Sequence, residues 1–363
     1  RKRSVLAGCL RNAWYAAAQA HDVGRHLLAR TLVGEPVVMY RTAAGKAVAL
    51  ADVCPHKLAP LSRGTVRGDA IECGYHGMLF AADGRCVRVP GEAAVPTAAC
   101  VRAYPTVERY GIVWLWPGDA EAADEKLLPA IPEYDDPAWA AVQGTTLHFA
   151  CNWLLLADNF LDPAHTSFVH SSSVGNTAGE EVPPRLVPAG ERIGIGRWVE
   201  SAPPVPVMER FATLPSQVDR WQFYYFQFPG TGWVDFGAIP AGAPRDDATR
   251  NAHFRTQTIQ LITPETETTT HYLWFHLRTF SIRDAAVSAA IRESWSATFE
   301  EDRALLATVQ RNEERYPDLP RARIGIDAAT VRMRALLAKR LAAETAVDAV
   351  NAVNATRPAV VHA

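Results

Sequence analysis

Residues 54–77 run from Cys54-Pro55-His56-Lys57-Leu58-Ala59-Pro60-Leu61-Ser62 to Cys73-Gly74-Tyr75-His76-Gly77. Each half offers one thiolate and one imidazole. Sixteen residues lie between His56 and Cys73, enough for one β excursion that returns the second loop to the first. Gly74 and Gly77 permit the tight turns such loops need. A lone Cys or His is usually structural, whereas two Cys/His loops in register form a metal-site pattern. Two chemistries fit it. One is a structural zinc held by two Cys and two His. The other is a [2Fe–2S] centre with two Cys on one iron and two His on the other. Neutral imidazoles in place of thiolates raise the potential of such a cluster, which suits an electron relay. The spacing leaves both readings open.

Around this stretch the chain is β-rich. Short runs such as Val37-Val38-Met39-Tyr40, Ala47-Val48-Ala49-Leu50 and Ile112-Val113-Trp114-Leu115-Trp116 are separated by Gly, Asp and Pro. Asp83-Gly84 predicts a hairpin between Met78-Leu79-Phe80 and Cys86-Val87-Arg88-Val89. A small antiparallel domain is therefore expected over residues 10–117. Residues 118–138 are acidic and Pro-rich and read as a linker. A second domain follows over 139–344. It has strand-like sequence to Phe149, a helical stretch near Trp153–His170, and strands at Trp221–Phe228, Trp233–Ile239, His253–Ile262 and Thr268–Phe280. Helices at about 284–313 and 327–343 close it. A mostly antiparallel sheet with helices packed on it makes the chain α+β. Residues 345–363 are expected to form a flexible tail.

The second domain carries another constellation, Asp158-Asn159-Phe160-Leu161-Asp162-Pro163-Ala164-His165-Thr166-Ser167-Phe168-Val169-His170. Asn159, Asp162 and His165 recur at three-residue spacing and would form one polar stripe on a helix. His170 lies five residues beyond His165, which at about 100° per residue is roughly 140° round a regular helix. Both imidazoles can meet one metal only if the helix is broken or bulged between them, and Pro163 supplies a reason for distortion. The plain alternative is two satisfied histidines on a surface helix. A carboxylate would complete a 2-His-1-carboxylate triad with open positions on iron. Over 291–309, Ile291, Trp295, Thr298, Asp302, Leu305 and Val309 recur as one apolar seam. A carboxylate there is costly unless paired or metal-bound, so Asp302 is the expected ligand. Glu300 and Glu301 fall off the seam and are expected to be dispensable.

Composition limits the function classes. The 363 residues are 48% hydrophobic and 21% charged with a formal net charge of −2. That suits a globular chain of roughly two domains and suggests neither nucleic-acid binding nor an acidic arm. No run of eighteen or more apolar residues is present, so no membrane partner is expected and the cytoplasm is the expected compartment. Six cysteines occur. Only Cys54 and Cys73 sit beside suitably spaced histidines, and Cys9, Cys86, Cys100 and Cys151 are expected to be buried apolar thiols.

The Cys54–Gly77 stretch resembles the Rieske domain of the aromatic-ring-hydroxylating oxygenases, within the branch of vanillate and dicamba O-demethylase oxygenases. Asp158-Asn159-Phe160-Leu161-Asp162, His165 and His170 resemble that family's mononuclear iron motif, and Asp302 its late aspartate. Val234-Asp235-Phe236-Gly237-Ala238-Ile239-Pro240-Ala241-Gly242 and the segment around Ile326-Asp327 also resemble this branch, and the likeness spans roughly 10–340. Phe160-Leu161-Asp162-Pro163 departs from the Leu-Met-Asp-Leu of many relatives. The resemblance implies a Rieske domain followed by a helix-grip-like catalytic domain. It implies a [2Fe–2S] cluster on Cys54, His56, Cys73 and His76, with the cysteines on the buried iron, and Fe(II) on His165, His170 and Asp302. Asn159 and Asp162 join the catalytic group by the same likeness. Asp162 would bridge His76 of one subunit to His165 of the next in a homotrimer.

The implied activity is O2- and NAD(P)H-dependent O-demethylation of a vanillate-like methoxylated aromatic acid, releasing formaldehyde. A separate flavin/iron–sulfur reductase would supply electrons, since no Gly-rich dinucleotide fingerprint is present. Hydroxylation or dihydroxylation of an aromatic carboxylate ring, or of a methyl or N-methyl group, is the alternative chemistry. A zinc-stabilised binding module is the alternative of a different class. His253, Trp274 and Trp295 are candidate pocket residues.

Overall fold

Among the described residues, strand pairing gives three small sheets and one large one. The computed structural model describes residues 6–180 and 182–355. The small sheets come from the first 115 residues. Tyr15–Gln19 pairs with Ile112–Leu115, which pairs with Thr106–Arg109. Leu28–Leu32, Glu35–Arg41, Ala47–Ala51 and Ala103–Tyr104 form a second sheet. Thr65–Arg67, Ala70–Glu72, Leu79–Phe80 and Cys86–Arg88 form a third, which holds the expected hairpin. Gly84 at its turn has φ +83°, and a Cβ there would lie 2.1 Å from the carbonyl oxygen of Val101, so both conformation and space require glycine.

The large sheet has seven antiparallel strands. From one edge they run Ala140–Phe149, Thr270–Arg278, Phe254–Pro264, Thr231–Pro240, Val218–Gln227, Ile193–Ala202 and Arg185–Val187. The last two have no counterpart among the sequence expectations. Both faces of the central strands are covered, so all nine residues of Thr270–Arg278 are buried. Tyr272 and Trp274 face the helices, with Trp295 and Phe299 of the long helix Ala285–Arg315. Leu273, Phe275 and Leu277 face the opposite way, onto Trp14, Trp114 and Trp116 of the N-terminal sheets. Burying each such aliphatic or phenyl side chain is worth roughly 1.5–3 kcal/mol. This two-sided core fixes the sheet as the floor of everything packed on its helical face.

Three expectations need correction. The closing helix runs Ala328–Ala355, past the expected helix end at residue 343 and into the expected tail. Glu344, the last residue of the expected domain, is tied to the start of the chain: its carboxylate accepts the backbone N–H groups of Arg11 and Asn12 at 2.9 and 3.0 Å. The Ala-rich sequence beyond it has high helix propensity, while residues 356–363 of the expected tail lie outside the described residues. On the long helix the buried seam passes through Leu306 and Gln310, and Leu305 is 43% exposed. At about 100° per residue Trp295, Phe299, Leu306 and Gln310 fall to one side of Ile291 and Leu305 to the other, so the buried face is centred to one side of the expected seam. Cys9, Cys86 and Cys151 are buried as expected, but Cys100 is exposed. No described helix is long and apolar enough to cross a membrane.

Candidate metal centres

The Cys54 and Cys73 loops are near copies of each other. Cys54 N–H donates to Ala59 O at 2.8 Å, and Leu58 N–H returns to Cys54 O at 2.9 Å. Cys73 N–H donates to Met78 O at 2.8 Å, and Gly77 N–H returns to Cys73 O at 3.0 Å. The residue four after each cysteine is left-handed, with φ +60° at Leu58 and +70° at Gly77. Leu58 carries that strain as a non-glycine residue, held by the loop's own bonds. Both thiols are buried at 2% exposure, while His56 and His76 are exposed. The two imidazole rings stand 4.5 Å apart. They open onto a groove lined by Pro55, Met78, Val89, Pro90 and Pro96. The donor set thus divides into a buried sulfur pair and a surface imidazole pair, as a cluster with unlike irons requires.

At the second centre the expected continuous helix is broken. Asn152 caps the helix Trp153–Phe160 through Leu154 N–H at 2.8 Å. Pro163 disfavours helical backbone at the residue before it, and Asp162 adopts φ −118°, ψ 82°. Chain direction then changes into the turn Pro163–His165 and the short helix Thr166–Val169, with His170 just past its end. The break therefore falls before His165 rather than between the two histidines. Asn159, Asp162 and His165 share no helical stripe.

This path brings His165, His170 and Asp302 together, with one ligand atom from each lying within 4.8 Å of the others. Both Nε2 atoms face the same oxygen: Asp302 Oδ1 is 3.1 Å from His170 Nε2 and 3.6 Å from His165 Nε2. Asn159 Nδ2 donates to that oxygen at 3.1 Å. Two imidazoles and one carboxylate facing a common point fit the 2-His-1-carboxylate donor set of non-haem iron. Burial lowers the pKa of His165. At His170 burial acts the same way, but hydrogen bonds with Asp302 and Glu301 outweigh it and raise the value.

The remaining ring nitrogens have their own acceptors. His165 Nδ1 meets the backbone carbonyl of Asp162. The Asp162 carboxylate instead accepts Ala164 N–H at 3.0 Å, capping the next turn. An orienting bond from this carboxylate to His165, which helix spacing allows, is therefore replaced by one from the main chain. His170 Nδ1 lies 2.6 Å from Glu301 Oε2. Glu301, set aside for falling off the seam, thus touches a member of the triad. Sequence reasoning missed this contact: the helix pattern places Glu301 correctly off the apolar face, but gives no sign that His170 approaches from that side. Glu300 only pairs with Arg303 at the surface.

The triad opens into a cavity on the sheet's helical face, lined also by Gln222, Tyr224, Phe236, Gln260, Trp295 and Phe299. Trp295 lines it as expected. Trp274 packs behind Phe299, and His253 bonds Thr249 O away from the cavity.

Comparison with known proteins matches residues 13–105 to the Rieske [2Fe-2S] domain and residues 149–343 to the vanillate O-demethylase oxygenase C-terminal domain. A vanillate O-demethylase oxygenase subunit from Pseudomonas sp. (strain ATCC 19151) is 36% identical, covering 88% of this chain and 98% of its own. The iron–sulfur subunit of a toluene-4-sulfonate monooxygenase system from Comamonas testosteroni is 34% identical, covering 92% and 98%. A crystal structure of dicamba monooxygenase with non-heme iron and dicamba is 30% identical and superposes with a TM-score of 0.79, covering 93% and 98%.

Proposed function

The chain belongs to the vanillate O-demethylase family of Rieske oxygenases, and on that premise we propose that it removes the methyl group of a methoxylated aromatic acid as formaldehyde. It is an oxidoreductase whose cofactors are a [2Fe–2S] cluster and a mononuclear iron, which sets the zinc-stabilised module aside. A separate reductase is its partner, as for the oxygenase components it is similar to. We assign NAD(P)H as the ultimate donor and O2 as the oxidant.

The convergence of His165, His170 and Asp302 at the mouth of an aromatic-lined cavity carries this reading. These three residues would hold the mononuclear iron, and Cys54, Cys73, His56 and His76 the cluster. Iron bound there supplies the O2 chemistry that places a hydroxyl on the substrate methyl carbon. The hydroxymethyl ether so formed is a hemiacetal and collapses to a phenol and formaldehyde. Asn159 steadies Asp302, and Glu301 and the Asp162 carbonyl fix the two rings. Phe236, Trp295 and Phe299 exclude water and hold the arene.

Electron entry belongs to the same proposal. His56 and His76 are the exposed edge of the first centre. The groove around them, rich in proline and aliphatic side chains, suits a protein contact. In a homotrimer with head-to-tail contacts, Asp162 would receive His76 of the partner subunit while its main chain holds His165. The test is formaldehyde release from a panel of methoxybenzoates, with reductase, NADH and O2. Formaldehyde in step with NADH consumption is the expected result. Ring-hydroxylated products with the methyl ether intact would overturn O-demethylation.

A further inference from the structure

On the strand Val218–Gln227, alternate residues share a face. Gln222 and Tyr224 line the cavity beside the triad, and Arg220 is the next residue on that face. Its side chain is buried at 1% exposure. Among the described residues its guanidinium has one acceptor, Asn176 Oδ1, and its buried Nε has none. No described carboxylate pairs with it. Directly across the sheet stand Val199 and Ala238, both uncharged.

Other buried or half-buried arginines have more partners than Arg220, although Arg250 Nε and Arg278 Nη1 also lack one. Arg255 and Arg250 meet Asp235 at 2.6 and 2.7 Å. Arg278 donates to Phe280 O, Ser281 O, Asp284 O and Ser288 Oγ. Arg197 has no carboxylate either, but five neutral acceptors surround it, including Pro163 O beside the triad and Gln222 Oε1 at 3.0 Å. Through Gln222 it stands next to Arg220. Burial and the Arg197 charge bring the Arg220 pKa down to about 10, so the group is a cation at neutral pH. The Asp162 carboxylate attracts Arg197, but no described carboxylate pairs with Arg220, and a buried charge left uncompensated is costly.

Asn176 is fixed by its own amide, which donates to Pro203 O and Pro204 O at 3.3 Å each, so its oxygen is directed at Arg220. The Gln222 amide is held loosely, with Nε2 at 3.5 Å from Thr166 Oγ1 and 3.4 Å from Val174 O. Its Nε2 can donate to a ligand without giving up a strong bond, while Oε1 stays on Arg197 Nε at 3.0 Å.

We propose that Arg220, which lies behind the cavity lining at Gln222 and is backed by Arg197, forms with the Gln222 amide an anion subsite at that end of the cavity. It takes the carboxylate or sulfonate of an aromatic substrate and so directs the opposite end of the ring toward His165, His170 and Asp302. The proposal rests on the reading of that triad as the reaction centre. A guanidinium fork matches both anions, so the shared chemistry is a planar arene bearing a monovalent oxyanion.

The test is calorimetric titration of the holoenzyme with 4-methoxybenzoate, 4-methoxybenzenesulfonate and the neutral 4-methoxybenzamide. The wild type is expected to bind at least one anion about tenfold or more tighter than the amide, the scale of one desolvated charge pair. Arg220→Met is expected to bring anion and amide to equal affinity, leave amide binding unchanged, and yield partly to rescue in Arg220→Lys. An unchanged anion-to-amide ratio in Arg220→Met, or no preference in the wild type, overturns the subsite. Should Arg220→Met not fold, thermal unfolding of the wild type decides. Stabilisation by an anion but not by equal amide supports the subsite, and equal stabilisation overturns it. Binding of either anion alone or of both supports it, and the two arms tell which anion is preferred. Anion selectivity without formaldehyde from any methoxyarene would defeat the demethylation reading and leave the subsite standing. Formaldehyde release with no anion selectivity would do the reverse.

Discussion

Glu301→Ala removes the carboxylate that meets His170 Nδ1 at 2.6 Å. The histidine side chain is 3% exposed and the glutamate side chain 37%. A hydrogen bond to a charged group contributes roughly 1.5–3 kcal/mol. Partial exposure of Glu301 screens it, so about 1.5–2 kcal/mol is the expected share. At 1.4 kcal/mol per factor of ten this is roughly a 10–30-fold loss, inside the usual range for a partner that orients a metal-bound imidazole. The loss should appear in ferrous iron affinity, measured by chelator competition on protein whose cluster is loaded. Glu301→Gln keeps an acceptor oxygen without the charge and should recover about half of the lost free energy. Glu300→Ala is the control, because Glu300 only pairs with exposed Arg303. Wild-type iron affinity in Glu301→Ala would refute the reasoning, and equal losses in Glu300→Ala would show the effect to belong to the helix rather than to the bond.

Cys54→Ser and Cys73→Ser should each abolish the visible absorbance and the low-temperature EPR signal of the reduced cluster; stoichiometric zinc in the red-brown protein's place would overturn the assignment. His165→Ala, His170→Ala and Asp302→Ala should lose mononuclear iron and turnover yet stay coloured, and full activity in Asp302→Ala would remove it as third ligand. Asn159→Ala frees Asp302 Oδ1 from its 3.1 Å donor and should weaken iron retention less than Asp302→Ala does; iron lost to the same degree would make Asn159 a ligand rather than a support. Asp162→Asn keeps the oxygen that caps Ala164 and the carbonyl that holds His165, so both centres should load. Cluster reoxidation in a single turnover with O2 and substrate should nevertheless slow steeply, and wild-type rates, or an active monomer in solution, would rule out the route through this carboxylate.

Much of the site was legible because it is local. The paired Cys/His loops are short turns closed by their own backbone bonds, so residue type and spacing specify them. Asp302 could be chosen over its neighbours because helix periodicity separates buried from exposed positions within a few residues. The Asp83-Gly84 hairpin and the chain break at Pro163 follow from backbone restrictions that any fold must obey. The seam needed correcting only in where its face is centred, which exchanges Leu305 for Leu306.

The sequence by itself thus named the residues of both candidate donor sets, through short motifs and their family resemblance, and indicated the α+β class and most of the long elements, since loop spacing and helix periodicity are short-range signals. Only the tertiary structure decided which second partners the ligands have. Glu301 and His170 are 131 positions apart, and their meeting depends on how the long helix crosses the end of a short one. The same holds for Asp162, where a side-chain contact and a main-chain contact are equally compatible with the spacing until the turn at Pro163 is built. Arg220 and Arg197 come side by side because two strands pair in one register, and a slip of one residue would put the two guanidiniums on opposite faces of the sheet. Contacts of this kind are set by the packing of distant segments, and the short-range patterns of a chain do not record them.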